Sequence, residues 1–273
     1  VLNEERLLSA VLKNISPHVD EIVVVDGGPN GPSEDATAEI AKRYEKVAYQ
    51  SGKFATLDGA WDIATQRNTA ISAAKHDMIL LLSADMFFLE LGRLREAIEG
   101  GKFKIFFSST FEFWRDTKHL RQHSDMGTPT YMPAPILEPI AVDRSYTPYV
   151  GEDGMLNLAH ADIKDRMMIP QMSKFHLGWL RPFPEQVQKH IRHVKQHRWA
   201  EQGESLLRGG KRSLEAWAIK HVLGYSAIPS VPFHGWLPEE LEEFGDMKPE
   251  DGSNQVIADF EEEYKMSPFT LKK

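Results

Sequence analysis

The sequence predicts an α/β fold built on a mixed, mainly parallel sheet flanked by helices, and three observations carry that reading. Met78-Ile79-Leu80-Leu81-Leu82 is a continuous apolar run, the pattern of a strand buried on both faces. Upstream of it, strand-like and helical segments alternate in the order βαβαβ, a nucleotide-binding type of half-sheet. Two of the strands run out onto a carboxylate, Asp26 and Asp85, and in open α/β sheets ligands sit in the crevice beyond the carboxyl ends of the strands.

A chain of 273 residues suffices for one well-buried α/β core with an appendage, or at most two domains. The absence of cysteine excludes disulfides and thiolate metal sites. A net charge of -8 argues against a general polyanion binder but leaves room for a local basic face. No apolar run approaches the ~20 residues of a membrane-spanning helix, and no signal-peptide pattern opens the sequence. A cytoplasmic protein is the expectation. Internal repeats and low-complexity segments are not evident.

Val1-Leu2 reads as the last step of a strand, and Asn3-Glu4-Glu5 starts a helix whose apolar positions Leu7, Leu8, Val11, Leu12 and Ile15 fall at helical spacing. Pro17 ends it. Glu21–Asp26 is the next buried strand, and Gly27-Gly28-Pro29-Asn30-Gly31-Pro32 is a loop in which backbone can approach a ligand closely. Asp35 or Ser33 caps a helix over Ala36–Lys46, followed by a short strand at Val47–Gln50. A helical stretch from about Asp58 to Ala74 then feeds the Met78–Leu82 strand. Arg67 lies there among apolar neighbours, where a guanidinium needs an anionic ligand or a carboxylate such as Asp85. Asp85 itself is either a ligand group or a simple cap for a helix starting near Leu89. A hard divalent cation takes oxygen ligands and keeps positions for water and substrate phosphates, so one or two carboxylates at such an edge can hold a metal–diphosphate pair.

Asn3-Glu4-Glu5, the segment VDEIVVVDGGPNGPSEDAT at 19–37, Gln66-Arg67-Asn68 and LLLSAD at 80–85 together resemble the ordered motifs of the family 2 glycosyltransferases with the GT-A fold. The match covers about residues 1–90 and extends more weakly to about 182. The resemblance implies that Asp26 contacts the nucleotide base and that Arg67 lies near base and diphosphate. Asn3, Glu4 and Gly27 would line the same nucleotide site. In the family's D-x-D motif the first Asp binds ribose and the last binds the metal. This chain departs from the motif with Ser83 at the first position, followed by Ala84, and keeps Asp85.

Beyond Asp85 the sequence reads as a helix at Leu91–Glu99, a strand at Phe103–Ser108 that Phe111-Glu112-Phe113-Trp114 continues, and a loop-rich region from His119 to Tyr149. Inverting transfer needs a carboxylate to take the proton of the attacking hydroxyl. The resemblance points to Glu152 or Asp153, in the turn Gly151-Glu152-Asp153-Gly154, which is equally a plain surface turn by composition. After a strand at Ile163–Ile169, Phe175-His176-Leu177-Gly178-Trp179-Leu180-Arg181 resembles the segment with which soluble family 2 relatives leave their catalytic domain. There a late histidine completes the metal shell, so His176, ahead of His160, is the candidate; a hydrogen-bonded core histidine is the alternative.

From Pro184 the composition turns helical, and Lys189, Arg192, Lys195 and Arg198 recur at three-residue intervals. Such a strip either solvates a helix face or attracts an anionic acceptor. The expectation is a GT-A-like catalytic domain over 1–182 with a helical C-terminal extension over 183–273. The expected activity is transfer of a sugar from a nucleotide-diphospho-sugar, a UDP-sugar ahead of a GDP-sugar, to an acceptor hydroxyl with Mn²⁺ or Mg²⁺. Alternatives are the same chemistry on a hydroxymethylated base of DNA, with the basic strip as phosphate contacts, and a non-catalytic nucleotide-sugar-binding module.

Overall fold

Helix α1 (Glu5–Ile15) buries Leu7, Leu8, Val11, Leu12 and Ile15, the residues that the helical spacing selects. In the computed structural model, residues 1–57, 59–114, 116–121, 136–151, 156–158, 162–181, 185–191, 218, 230–232, 234–235 and 237–244 are described. The chain divides into two units, Val1–Glu112 with Thr128–Gly178, and Phe113–Gly127 with Trp179–Lys273.

The first unit opens with a parallel pair, β1 (Ile22–Gly28) and β2 (Val47–Lys53), in register from Ile22 against Val47 to Gly28 against Lys53. They are joined through α2 (Thr37–Lys42). Val1 adds a step on the other side of β1. Its nitrogen donates to the Val25 carbonyl (2.8 Å) and its carbonyl accepts from Gly27 N–H (3.0 Å), the bonding pattern of a parallel neighbour opposite Asp26. Glycine is required at 27, because a Cβ there would stand 2.1 Å from the Gly52 carbonyl oxygen of β2.

Helix α3 (Ile63–Ala73) starts where Asp62 accepts from Thr65 N–H, several residues later than the sequence suggests. It leads to β3 (Met78–Leu80), then β4 (Met86–Leu89), α4 (Gly92–Glu99), β5 (Ile105–Trp114), β6 (Asp116–Arg121), β7 (Ile136–Asp143), β8 (Tyr149–Val150), β9 (Leu156–Asn157) and β10 (Arg166–His176). Within the first unit the strands run β3-β7-β5-β10-β4. β5 and β10 pair in parallel, whereas β3–β7, β7–β5 and β10–β4 are antiparallel.

The apolar run 78–82 thus pairs differently from the parallel arrangement its composition suggests. Met78, Ile79 and Leu80 oppose Asp143, Val142 and Ala141 of β7 in antiparallel register. The run is apolar at every position because two cores flank it. Met78, Leu80 and Leu82 pack on the core of Leu8, Leu12, Val24, Phe88 and Phe106; Ile79 and Leu81 join that of Ile71, Ile105, Val142 and Val150. Asp85 does not cap a helix: the residues after it form β4.

In the second unit, Phe113 and Trp114 of β5 pair with β6, which pairs in turn with β11 (Ser230–Pro232). Residues 185–191 are helical, with Gln186, Val187, His190 and Ile191 buried, and Trp179 packs against the His190 ring at 5.4 Å. Most of the segment 183–273 lies outside the described residues.

Candidate active site

The end of β3 turns through Ser83–Met86, closed by Met86 N–H to the Ser83 carbonyl (3.2 Å), and presents Asp85 where β4 begins. Leu177 N–H donates to the Asp85 carbonyl (2.7 Å), which fixes that main chain to the end of β10. The register places His176 opposite Met86 on one neighbour and opposite Glu112 on the other. As a result three side chains line up: Asp85 Oδ2 is 3.2 Å from His176 Nε2, and His176 Nδ1 is 3.1 Å from Glu112 Oε1. All three are largely buried. Burial of the imidazole disfavours its charge, but the Asp85 charge and hydrogen bond and then Glu112 outweigh that, and the His176 pKa is pushed up to about 9.

The backbone of Gly178 packs closely against this pair, with no room for a side chain. A Cβ there would lie 2.5 Å from His176 Nε2 and 3.1 Å from Asp85 Oδ2. Two adjacent ligands of an octahedral ion with bonds of about 2.1 to 2.2 Å stand about 3.1 Å apart. The 3.2 Å separation of Asp85 Oδ2 and His176 Nε2 matches that span, and one carboxylate with one imidazole suits a divalent ion of the Mn²⁺ type. Glu112 faces the far ring nitrogen, so among the described residues no three acidic or histidine side chains converge on one point.

The other strand-end carboxylate is placed differently. Asp26 is 0% exposed, and its oxygens accept from the Ser33 hydroxyl (2.5 Å), Ser33 N–H (3.2 Å) and the Tyr49 hydroxyl (2.7 Å). Burial and this hydrogen bond push the Tyr49 pKa up to about 12. Asp26 therefore clamps the loop after β1 rather than opening onto solvent. Within that loop Gly28 and Gly31 exchange backbone hydrogen bonds around Pro29-Asn30. Asn3, at a φ of 52°, donates its N–H to Ser33 Oγ (2.8 Å) and accepts from Glu34 N–H through Oδ1 (3.0 Å). Glu4 N–H donates to Thr37 Oγ1 (2.8 Å). Asp35 accepts from both Glu5 and Thr37 N–H, and Glu5 Oε2 accepts from Ala36 N–H, so α1 and α2 cap one another.

Each member of Gln66-Arg67-Asn68 ties a different piece of backbone or turn. The buried Gln66 amide donates to the carbonyls of Val1, Val25 and Gly27, and its oxygen accepts from Trp61 Nε1 (3.0 Å). Arg67 Nη2 donates to Ser83 Oγ (3.2 Å), so the departure from the D-x-D pattern is where the guanidinium binds. Ala84 is buried in the larger core. The Asn68 amide meets Val150 twice, donating to its carbonyl (2.9 Å) and accepting from its N–H (2.7 Å), immediately before Gly151.

The structure thus unites Asp85 with His176 and Arg67 with Ser83, and groups Asn3, Glu4, Asp26 and Gly27 around the α1–β1–α2 junction. Glu152, Asp153, His160, Arg192, Lys195 and Arg198 lie outside the described residues; Lys189 is half-buried on the helical segment 185–191. Sequence reasoning passed over Glu112 and the spatial role of Gly178. Glu112 has one signal, a lone carboxylate in the apolar run Phe111-Glu112-Phe113-Trp114.

Comparison with known proteins gives three findings. The profile described as glycosyl transferase family 2 matches residues 1–157. A TPR repeat-containing protein of Synechococcus elongatus is 38% identical over 85 residues, which are 31% of this chain and 19% of that protein. The chain therefore spans about a fifth of the length of that curated relative. TarS 1–349 of S. aureus superposes with a TM-score of 0.41 at 12% identity, over 83% of this chain and 72% of the other.

Proposed function

Because the chain belongs to glycosyl transferase family 2, we propose that it moves a sugar from a nucleotide-diphospho-sugar to an acceptor hydroxyl, with Mn²⁺ or Mg²⁺ held by Asp85 and His176. The observation that carries this reading is the donor pair itself: a carboxylate oxygen and an imidazole nitrogen 3.2 Å apart at the strand ends, beside a glycine where no Cβ fits. When bound, such an ion supplies positive charge to the diphosphate as it leaves the sugar.

The chain's own groups divide the remaining work. Were an ion bound, Asp85 Oδ2 and His176 Nε2 would hold it, with the imidazole neutral and its hydrogen on Nδ1 toward Glu112. Arg67, held at Ser83 beside Asp85, adds cationic character on the diphosphate side. The loop that Asp26 clamps through Ser33 offers backbone of residues 28–33 to the base and ribose, and Asn3 and Glu4 brace it from α1. Asp26 acts on the base through this loop. Asp153, with Glu152 beside it, takes the proton of the attacking hydroxyl, and attack opposite the leaving diphosphate inverts the anomeric carbon.

A panel of nucleotide sugars tests the reading by thermal stabilisation and donor hydrolysis, with and without Mn²⁺. One donor should stabilise the protein in a Mn²⁺-dependent manner and be slowly hydrolysed, and D85A should lose both effects. Stabilisation without hydrolysis or transfer to any acceptor favours a binding module. Failure of every nucleotide sugar to bind sinks the proposal.

A further inference from the structure

We propose that Glu112 is the positioning residue of this centre, holding the His176 imidazole so that Nε2 faces the ion and the proton stays on Nδ1; this rests on the reading of Asp85 and His176 as metal donors. Four observations lead to it. Glu112 and His176 stand directly opposite one another on the parallel strands β5 and β10, and Glu112 Oε1 is 3.1 Å from Nδ1 while Asp85 Oδ2 is 3.2 Å from Nε2. The two carboxylates therefore grip opposite edges of one ring. On the other face at the neighbouring step, Phe111 and Phe175 are also in register, with rings stacked at 5.7 Å and 26°, which locks the relative position of the strands where Glu112 acts.

The third observation is a matter of valence. An imidazole that gives Nε2 to a metal is neutral and carries its hydrogen on Nδ1, and an acceptor at Nδ1 selects that tautomer and raises the basicity of Nε2. Glu112 is the acceptor the structure puts there. Finally, the close approach of Gly178 admits no side chain beside the Nε2 edge, so Asp85 meets one ring nitrogen and Glu112 fixes the ring at the other. A carboxylate set into an otherwise apolar strand end, Phe111-Glu112-Phe113, is costly to bury without such a partner.

The test titrates Mn²⁺ with UDP into wild type, E112A, E112Q and H176A by calorimetry, and reads imidazole nitrogen coupling to Mn²⁺ by pulsed electron paramagnetic resonance. E112A should bind Mn²⁺ about 10- to 100-fold more weakly, the range typical of lost outer-shell partners, with weakened nitrogen coupling. E112Q, whose amide oxygen still accepts from Nδ1–H, should retain most of both. Should E112A not fold, E112M fills a similar volume without an acceptor and makes the same comparison. Wild-type affinity and coupling in E112A or E112M overturn the proposal, as does an E112Q defect as deep as that of the acceptor-free variant. If H176A also binds Mn²⁺ as tightly as wild type, the metal reading falls with it; if H176A is weak while E112A is not, only the role of Glu112 falls.

Discussion

Asp26 and Asp85 carry the same signature in the sequence, a carboxylate at the end of an apolar strand, yet their surroundings differ. Asp26 is 0% exposed and satisfied by hydroxyl and amide donors from Ser33 and Tyr49. Asp85 is 8% exposed, and its Oδ2 faces the His176 imidazole where Gly178 packs closely. Hydroxyl and amide donors cannot be displaced without leaving buried groups unpaired, whereas a ring nitrogen can exchange a proton for an ion. The first carboxylate builds the loop, and it is the second that the proposed function assigns to the chemistry.

The largest expected effect is on ion binding. D85A should lose Mn²⁺ affinity by more than the ~100-fold that outer-shell losses reach, while keeping a cooperative unfolding transition. Wild-type Mn²⁺ affinity in calorimetry would remove Asp85 from the site.

D26A should behave in the opposite way, keeping Mn²⁺ binding but losing roughly 3 kcal/mol of stability in denaturant unfolding, because three half-buried donors lose a charged, fully buried acceptor. An unfolding midpoint equal to wild type would show that the clamp is dispensable. Between these, G178A should weaken Mn²⁺ binding and also lower stability, since the added methyl would stand 2.5 Å from His176 Nε2, in a ring held at both edges that must shift. Unchanged affinity in that variant would mean that the ion does not sit beside Gly178.

The pH dependence of the metal-free protein sharpens the contrast. His176 is opposed by burial but held charged by Asp85 and Glu112, with a folded pKa of about 9 against the ordinary ~6.5. The folded state thus binds the proton more tightly than the unfolded state. Its contribution to stability is fully present below pH ~6.5 and is lost as pH rises through about 9. Urea midpoints across that interval should fall in wild type and fall less in D85N; a flat wild-type profile contradicts the pairing. The smallest effect is expected from S83D, in which the new carboxylate pairs with Arg67 at the site of the existing hydrogen bond and changes Mn²⁺ affinity little. A marked tightening would mean that it joins the ion instead.

The sequence by itself determined the α/β class, the apolar face of α1, the run-out of strands onto Asp26 and Asp85, and the family motifs, because periodicity and strand-end chemistry are local properties of the chain. It also singled out His176. Tertiary structure alone decided that Met78–Leu80 pairs antiparallel with β7, since a run apolar on both faces records two flanking cores and not the direction of its neighbour. It likewise decided which groups each carboxylate meets. Asp26 is closed by Tyr49, 23 residues away, while Asp85 meets His176 across 91 residues and Glu112 reaches the same ring across 64. Strand register brings those groups within hydrogen-bond range, and register is set by the packing of whole strands, which no local pattern encodes.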